Sequence, residues 1–146
     1  MHALMQGVPI FAGLDSQGLD LLLQRVQEMT AAAGDLVIRE GELGNRFFLI
    51  GSGSVRVCKK FDQPEEVELA RLGPRDFFGE MCILETLPRS ATVQAVVPST
   101  LFSLPSAAFY HLYKSRPEQY CILLLNIARD LSRRLRHLDE AFAARH

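Results

Sequence analysis

The hydrophobic pattern divides the chain into an opening helix, a run of short strands and two closing helices. The first helical signal follows Asp15, a residue type that suits a helix N-cap. Apolar residues then recur three or four positions apart: Leu19, Leu22, Leu23 and Val26. This spacing predicts an amphipathic N-terminal helix that ends at about Glu28.

From residue 31 the pattern changes to short runs rich in β-branched and aromatic residues, separated by glycine and proline. The runs are residues 36–39, 46–50, 54–61, 67–71, 91–97 and 100–104. Short strands at such regular spacing are typical of an antiparallel barrel or roll. The expected fold class is therefore α+β: a jelly-roll-like antiparallel β-roll of about eight strands, flanked by an N-terminal helix and two C-terminal helices.

The two closing helices are predicted over residues 106–114 and over about residues 117–143, where Pro117 suits a first helical turn. Apolar residues of the longer helix form two rows with a spacing of seven: Cys121, Ala128, Leu135 and Phe142 in one, and Leu124, Leu131 and Leu138 in the other. Two such rows make a heptad seam, which favours a homodimer through this helix. Packing of the helix against its own domain is the alternative interpretation.

Composition and length limit the classes of protein to which the chain can belong. Its 146 residues suit one domain, residues 1–146, and 16 basic against 17 acidic residues create no field that attracts DNA. No secretory signal pattern opens the chain, and no apolar run approaches the ~18 residues of a membrane span. We therefore expect a cytoplasmic protein with no DNA and no membrane as partners. The three cysteines lack zinc-site spacing, so no metal is expected.

Residues 77–93 combine the chemistry of an anion site with a hydroxyl acceptor. Gly79 allows close approach of the backbone to a ligand, and the apolar residues after Glu80 suit one helical turn, whose N–H groups attract phosphate. Arg89 can hold two phosphate oxygens, while the Glu80 carboxylate can accept a bond from a sugar hydroxyl. The alternative is a surface salt bridge between Glu80 and Arg89 that has no function.

An upstream segment, residues 37–53, supports the first interpretation. Gly41 and Gly44 predict a turn, residues 47–50 are four consecutive apolar residues of a buried strand, and Gly53 predicts a second turn. Together with residues 77–93, this segment resembles the two signatures of the cyclic nucleotide-binding domain family, which includes catabolite activator proteins and the regulatory subunits of protein kinase A. The resemblance covers roughly residues 8–140.

The resemblance implies roles for particular residues. Those that would contact the ribose and cyclic phosphate of cAMP or cGMP are Gly79, Glu80, Met81, Cys82, Arg89 and Ser90. Cys82 departs from the small residues usual at its position; with its sulfur inside the roll its amide would stay available, and a redox role for it is a minor alternative. An arginine of the last helix could stack on the base, and the candidates for this lid are Arg129, Arg133 and Arg136, with Arg134 beside them.

The function expected from these features is that of a non-catalytic signalling receptor with an effector that the sequence does not identify. No catalytic triad, carboxylate pair or metal-ligand set is present, so an enzyme is not expected. One alternative is the ligand-sensing part of a transcription regulator of the catabolite-activator type, whose DNA-binding segment lies outside these residues. Another is a dimerising scaffold that binds no ligand.

Overall fold

The computed structural model describes residues 1–85 and 87–145, and strands form its centre. The strands are β1 Gln27–Ala31, β2 Leu36–Ile38, β3 Arg46–Ser52, β4 Val55–Lys59, β5 Val67–Leu72, β6 Phe77–Phe78, β7 Thr92–Ala95 and β8 Ser99–Pro105. They pair antiparallel in two four-stranded sheets, with the orders β1-β8-β3-β6 and β2-β7-β4-β5. The predicted α+β class and the antiparallel roll of about eight strands are confirmed.

Helices lie at both ends of the chain and at one turn between strands. They are α1 His2–Gln6, a short 3-10 helix Pro9–Phe11, α2 Ser16–Leu23, α3 Met81–Leu84, α4 Ser106–Ser115 and α5 Pro117–Arg145. The two predicted C-terminal helices are therefore present, and α5 extends two residues beyond the expected end. His146, in the tail that we expected to be frayed, lies outside the described residues. The sequence did not predict α1 or the 3-10 helix.

The predicted boundary of the first long helix is wrong. Asp15 does cap α2, since its Oδ1 accepts a hydrogen bond of 2.8 Å from the Gly18 N–H, but α2 ends at Leu23 and not near Glu28. Glu28 instead lies in β1, opposite Phe102 of β8. The hydrogen-bond ladder with β8 takes residues 27–31 into the sheet, and such tertiary pairing outweighs a local helical pattern.

β3 separates two hydrophobic cores, because successive side chains of a strand point to opposite faces. Phe47 and Leu49 belong to the core between the first sheet and the helices. Phe48 and Ile50 belong to the core between the two sheets. The uninterrupted apolar run at residues 47–50 is thus a strand that is buried on both faces, as the sequence predicted.

The first half of α5 is buried against the domain, and its second half is exposed. Leu123 and Ile127 are fully buried in the helix-side core. Asn126, also buried, donates from Nδ2 to the carbonyls of Ile10 (3.0 Å) and Ala12 (2.7 Å), which ties α5 to the 3-10 helix. From residue 132 to residue 144 every residue of α5 is exposed. The domain therefore holds this helix mainly by its N-terminal half.

Asn126→Ala should lower the free energy of unfolding by about 1–3 kcal/mol, because two carbonyls near the core lose their donor. Chemical denaturation of the variant and of wild type measures the difference. Ser132→Ala, at an exposed position of the same helix, is the matched control and should change stability by less than ~0.5 kcal/mol. Equal stabilities of Asn126→Ala and wild type would contradict the anchoring role.

Candidate functional site

The two glycine-containing segments singled out in the sequence meet in the structure through their backbones. The Gly41 N–H donates to the Arg89 carbonyl at 2.8 Å, and the Arg89 N–H donates to the Glu42 carbonyl at 2.7 Å. An isolated antiparallel bridge joins Leu43 to Pro88 beside them. The turn after β2 therefore fixes the backbone of Arg89, 48 positions along the chain from Gly41.

The Arg89 guanidinium is half-buried beside the β6–α3 turn. Its Nη2 donates a hydrogen bond of 2.7 Å to the Arg46 carbonyl, and no protein acceptor within residues 1–85 and 87–145 bonds its other N–H groups. Burial lowers the pKa of Arg89, partly offset by the nearby Cys82 and Glu80, yet an arginine remains charged at neutral pH. The site thus contains a fixed cation that has donors left for an anion.

Gly79 provides the space beside that cation. Its φ of 80° lies in the left-handed region, which favours glycine. A Cβ at this position would lie 2.7 Å from the Arg46 carbonyl oxygen and 3.0 Å from Arg89 Nη1. Any side chain here would strain the backbone and crowd the guanidinium, so both requirements select glycine.

Glu80, the next residue, carries a buried carboxylate that is paired with the last helix. The residue is only 5% exposed, and its Oε1 accepts a hydrogen bond of 2.6 Å from Arg134 Nη1. The Arg134 guanidinium also lies over the Phe77 ring, 5.5 Å from its centroid. Its Nε is 3.0 Å from Asp130 Oδ2, in ion-pair rather than hydrogen-bond geometry. α5 therefore closes over the β6–α3 turn through one side chain.

The structure gathers some of the predicted site residues and leaves others at the surface. Gly79, Glu80, Cys82 and Arg89 lie together around the β6–α3 turn. Met81 and Ser90 are exposed at its edge. The three preferred lid residues, Arg129, Arg133 and Arg136, are exposed on α5. The arginine of α5 that reaches Glu80 is Arg134, and the signal for it was its spacing of four from Asp130.

Cys82 packs in the helix-side core and not between the two sheets, which is where a sulfur inside the roll would lie. It is 7% exposed, and burial raises the pKa of its thiol to about 11. The thiol is therefore protonated at neutral pH and a poor nucleophile. Its backbone N–H donates to the Gly79 carbonyl over 3.3 Å, a long bond for this donor and acceptor.

A separate groove of about 510 Å³ lies on the other side of α3. Its lining includes Leu84 and three tyrosines, Tyr110, Tyr113 and Tyr120, but neither Glu80 nor Arg89. The Tyr120 hydroxyl donates to the Ile83 carbonyl at 3.4 Å, so the groove connects α3 with the start of α5. This groove is therefore distinct from the turn that carries Glu80 and lies beside Arg89.

Within residues 1–85 and 87–145, no cluster of three or more histidine, cysteine or carboxylate side chains is arranged to hold a metal ion. None of the described helices combines the length and the apolar character that crossing a membrane requires.

Known proteins resemble this chain in sequence and in fold. A cyclic AMP receptor protein of Thermus thermophilus is 35% identical over 135 residues, which are 92% of this chain and 61% of that protein. A cyclic nucleotide-gated potassium channel of Mesorhizobium japonicum is 41% identical over 115 residues, 79% of this chain and 30% of the channel. The crystal structure of the N-terminal domain of a transcriptional regulator from Streptomyces coelicolor superposes with a TM-score of 0.78 at 30% identity, covering 95% of this chain and 94% of that one.

The chain thus spans less than two thirds of the length of the receptor protein and of the channel. The family model for the cyclic nucleotide-binding domain matches residues 28–116, which include both glycine-containing segments and the strands β2 to β8. The chain belongs to the cyclic nucleotide-binding domain family.

Proposed function

We propose that this domain is a non-catalytic receptor for a cyclic nucleotide, cAMP or cGMP, and that it regulates an effector by binding. The observation that carries the proposal is the juxtaposition at Gly79. A buried carboxylate, Glu80, follows this glycine directly, and the Arg89 guanidinium lies 3.0 Å from where a Cβ of Gly79 would be. A cation and a hydroxyl acceptor so close together match the phosphate and ribose of one ligand.

Each group of the turn has a distinct part in this proposal. Arg89 would pair with the cyclic phosphate through N–H groups that have no acceptor among the described residues, since its bond to the Arg46 carbonyl uses only one of five. Glu80 would accept a hydrogen bond from a ribose hydroxyl. The Met81 backbone and the exposed hydroxyl of Ser90 would complete the contacts around the phosphate. The Cys82 N–H, which donates to the Gly79 carbonyl over 3.3 Å, would join them by giving up or sharing that long bond.

The ion pair between Glu80 and Arg134 would connect the ligand to α5. A nucleotide that bonds Glu80 would compete with, or add to, the bond from Arg134. Its affinity would then differ between an arrangement of α5 that has this bond and one that lacks it. A ligand can shift the equilibrium between two arrangements of a helix only by the difference between its affinities for them. Arg134 stays with Arg129, Arg133 and Arg136 among the side chains of α5 proposed to close over the base.

The effector and the preferred base are open to experiment, and cAMP is the first nucleotide to test. The Thermus relative is named as a cyclic AMP receptor protein, and its similarity extends over 92% of this chain. The similarity to the potassium channel concerns the same domain in a protein of another class. A receptor of this family can therefore be linked to more than one kind of effector.

A homodimer through α5 is the second part of the proposal. Leu135 and Leu138, both members of the predicted heptad rows, are 61% and 67% exposed. Leu124 and Leu131 of the second row are partly buried against the domain's own core. Intramolecular packing therefore accounts for the start of the second row, and a second copy of α5 would cover the C-terminal half of the seam.

The similarity to the Thermus protein and to the Streptomyces regulator favours one other function, the ligand-sensing part of a transcription regulator. In that case the full-length product of the gene shifts the mobility of its own promoter DNA, and cAMP changes the shift. A full-length product that binds promoter DNA neither alone nor with cAMP or cGMP excludes this function and leaves the receptor with another effector.

Arg89→Ala should weaken cAMP binding on the order of tenfold or more, because the phosphate loses a charge-assisted pair of hydrogen bonds. Isothermal titration calorimetry of wild type and variant measures this change. Arg71→Ala removes an arginine that is 59% exposed on β5 and serves as the control for a lost positive charge. An unchanged affinity of Arg89→Ala for cAMP would rule out the assignment of Arg89 to the phosphate. If neither cAMP nor cGMP binds to the wild type or raises its melting temperature, the remaining interpretation is a scaffold without a ligand.

Leu138→Glu should convert a dimer into a monomer, because it places a carboxylate in the apolar seam of α5. Light scattering coupled to size-exclusion chromatography, over a range of protein concentrations, reports the mass. His137→Glu introduces the same carboxylate on the neighbouring, exposed face of the helix and should leave the mass unchanged. A wild type that stays monomeric throughout, or a Leu138→Glu variant that stays dimeric, would refute the seam.

A further inference from the structure

Gly44 lies directly against the Arg89 side chain. A Cβ built on Gly44 would overlap Nε and Cζ of Arg89 and lie 2.6 Å from its Cδ. These three Arg89 atoms are the nearest to that Cβ, ahead of any backbone atom. The arginine side chain therefore occupies the volume that any other residue at position 44 would fill.

The Arg89 guanidinium is bordered by backbone atoms of three residues, Gly44, Gly79 and Arg46. The Cα of Gly44 faces Nε and Cζ, and the Cα of Gly79 faces Nη1. The Arg46 carbonyl accepts the hydrogen bond from Nη2. Backbone atoms thus determine the plane of the guanidinium and the direction in which its remaining N–H groups point.

We propose that Gly44 is a positioning residue for nucleotide binding: its missing side chain leaves the slot in which the Arg89 guanidinium is held in its phosphate-binding orientation. The inference rests on the proposed function of Arg89. It assigns to the turn between β2 and β3 a role in affinity that involves no contact with the ligand.

Backbone conformation does not explain a glycine at position 44. Gly34, Gly41, Gly53 and Gly79 have positive φ values, between 80° and 92°, and Gly44 is not in this region. A left-handed backbone therefore does not exclude alanine at position 44. The three atoms nearest to its methyl group all belong to the flexible Arg89 side chain, so Gly44→Ala should displace Arg89 and leave the fold in place.

The test is a double-mutant cycle with cAMP titrations of wild type, Gly44→Ala, Arg89→Ala and the double variant. Gly44→Ala alone should weaken binding at least tenfold, and in the Arg89→Ala background it should change affinity by less than twofold, because its partner is gone. Gly73→Ala is the matched control, since a Cβ there meets nothing within 4 Å and its φ is not positive. It should bind cAMP like wild type.

The outcomes separate this inference from the function on which it depends. A wild type that binds neither cAMP nor cGMP overturns the proposed function and, with it, the role of Gly44. A wild type that binds, together with Gly44→Ala of equal affinity or with equal losses in both backgrounds, overturns the role of Gly44 alone. Should Gly44→Ala melt at a markedly lower temperature, restored melting in the double variant would still identify Arg89 as the group that the methyl displaces.

Discussion

The burial of the Glu80 carboxylate is the constraint on which the rest of the site depends. A carboxylate removed from water is unstable unless a cation and hydrogen bonds replace its hydration. The chain meets this requirement with Arg134, which reaches from the last helix to a turn 54 positions earlier. Because the buried charge of Glu80 needs a cation, the Glu80–Arg134 contact links the β-roll to α5. This contact lies at the proposed ribose site.

Two rigid features hold the groups of the site in place. β3 is buried on both faces, by the helices on one side and by the second sheet on the other, so the strand that carries the Arg46 carbonyl has little freedom to move. The backbone bonds from Gly41 and Glu42 then fix Arg89 relative to that strand. By contrast, the second half of α5, which carries Arg134, is exposed. The cation is held by a rigid frame, whereas the partner of Glu80 comes from an exposed part of the last helix.

The sequence was sufficient for the features that local chemistry determines. Glycine at a turn with positive φ, four apolar residues in a strand buried on both faces, and heptad rows on a helix are all visible as residue types at fixed spacing.

Features that depend on which elements meet were not predictable in this way. The end of α2 depends on β8 taking residues 27–31 as a neighbouring strand, a pairing between segments 72 positions apart. The choice of Arg134 over Arg129, Arg133 and Arg136 depends on the rotation of α5, which the buried residues Leu123, Asn126 and Ile127 set. The contact of Gly44 with Arg89 also requires the folded chain.

The central claim is that one turn binds the phosphate and the ribose of the same ligand while α5 closes over it. A crystal structure of the domain with bound cAMP tests this most directly. The account predicts two N–H groups of Arg89 on the cyclic phosphate, a ribose hydroxyl on Glu80, and Arg134 within reach of the nucleotide. A nucleotide in the groove between α3 and α4, or a phosphate with no contact to Arg89, would contradict it.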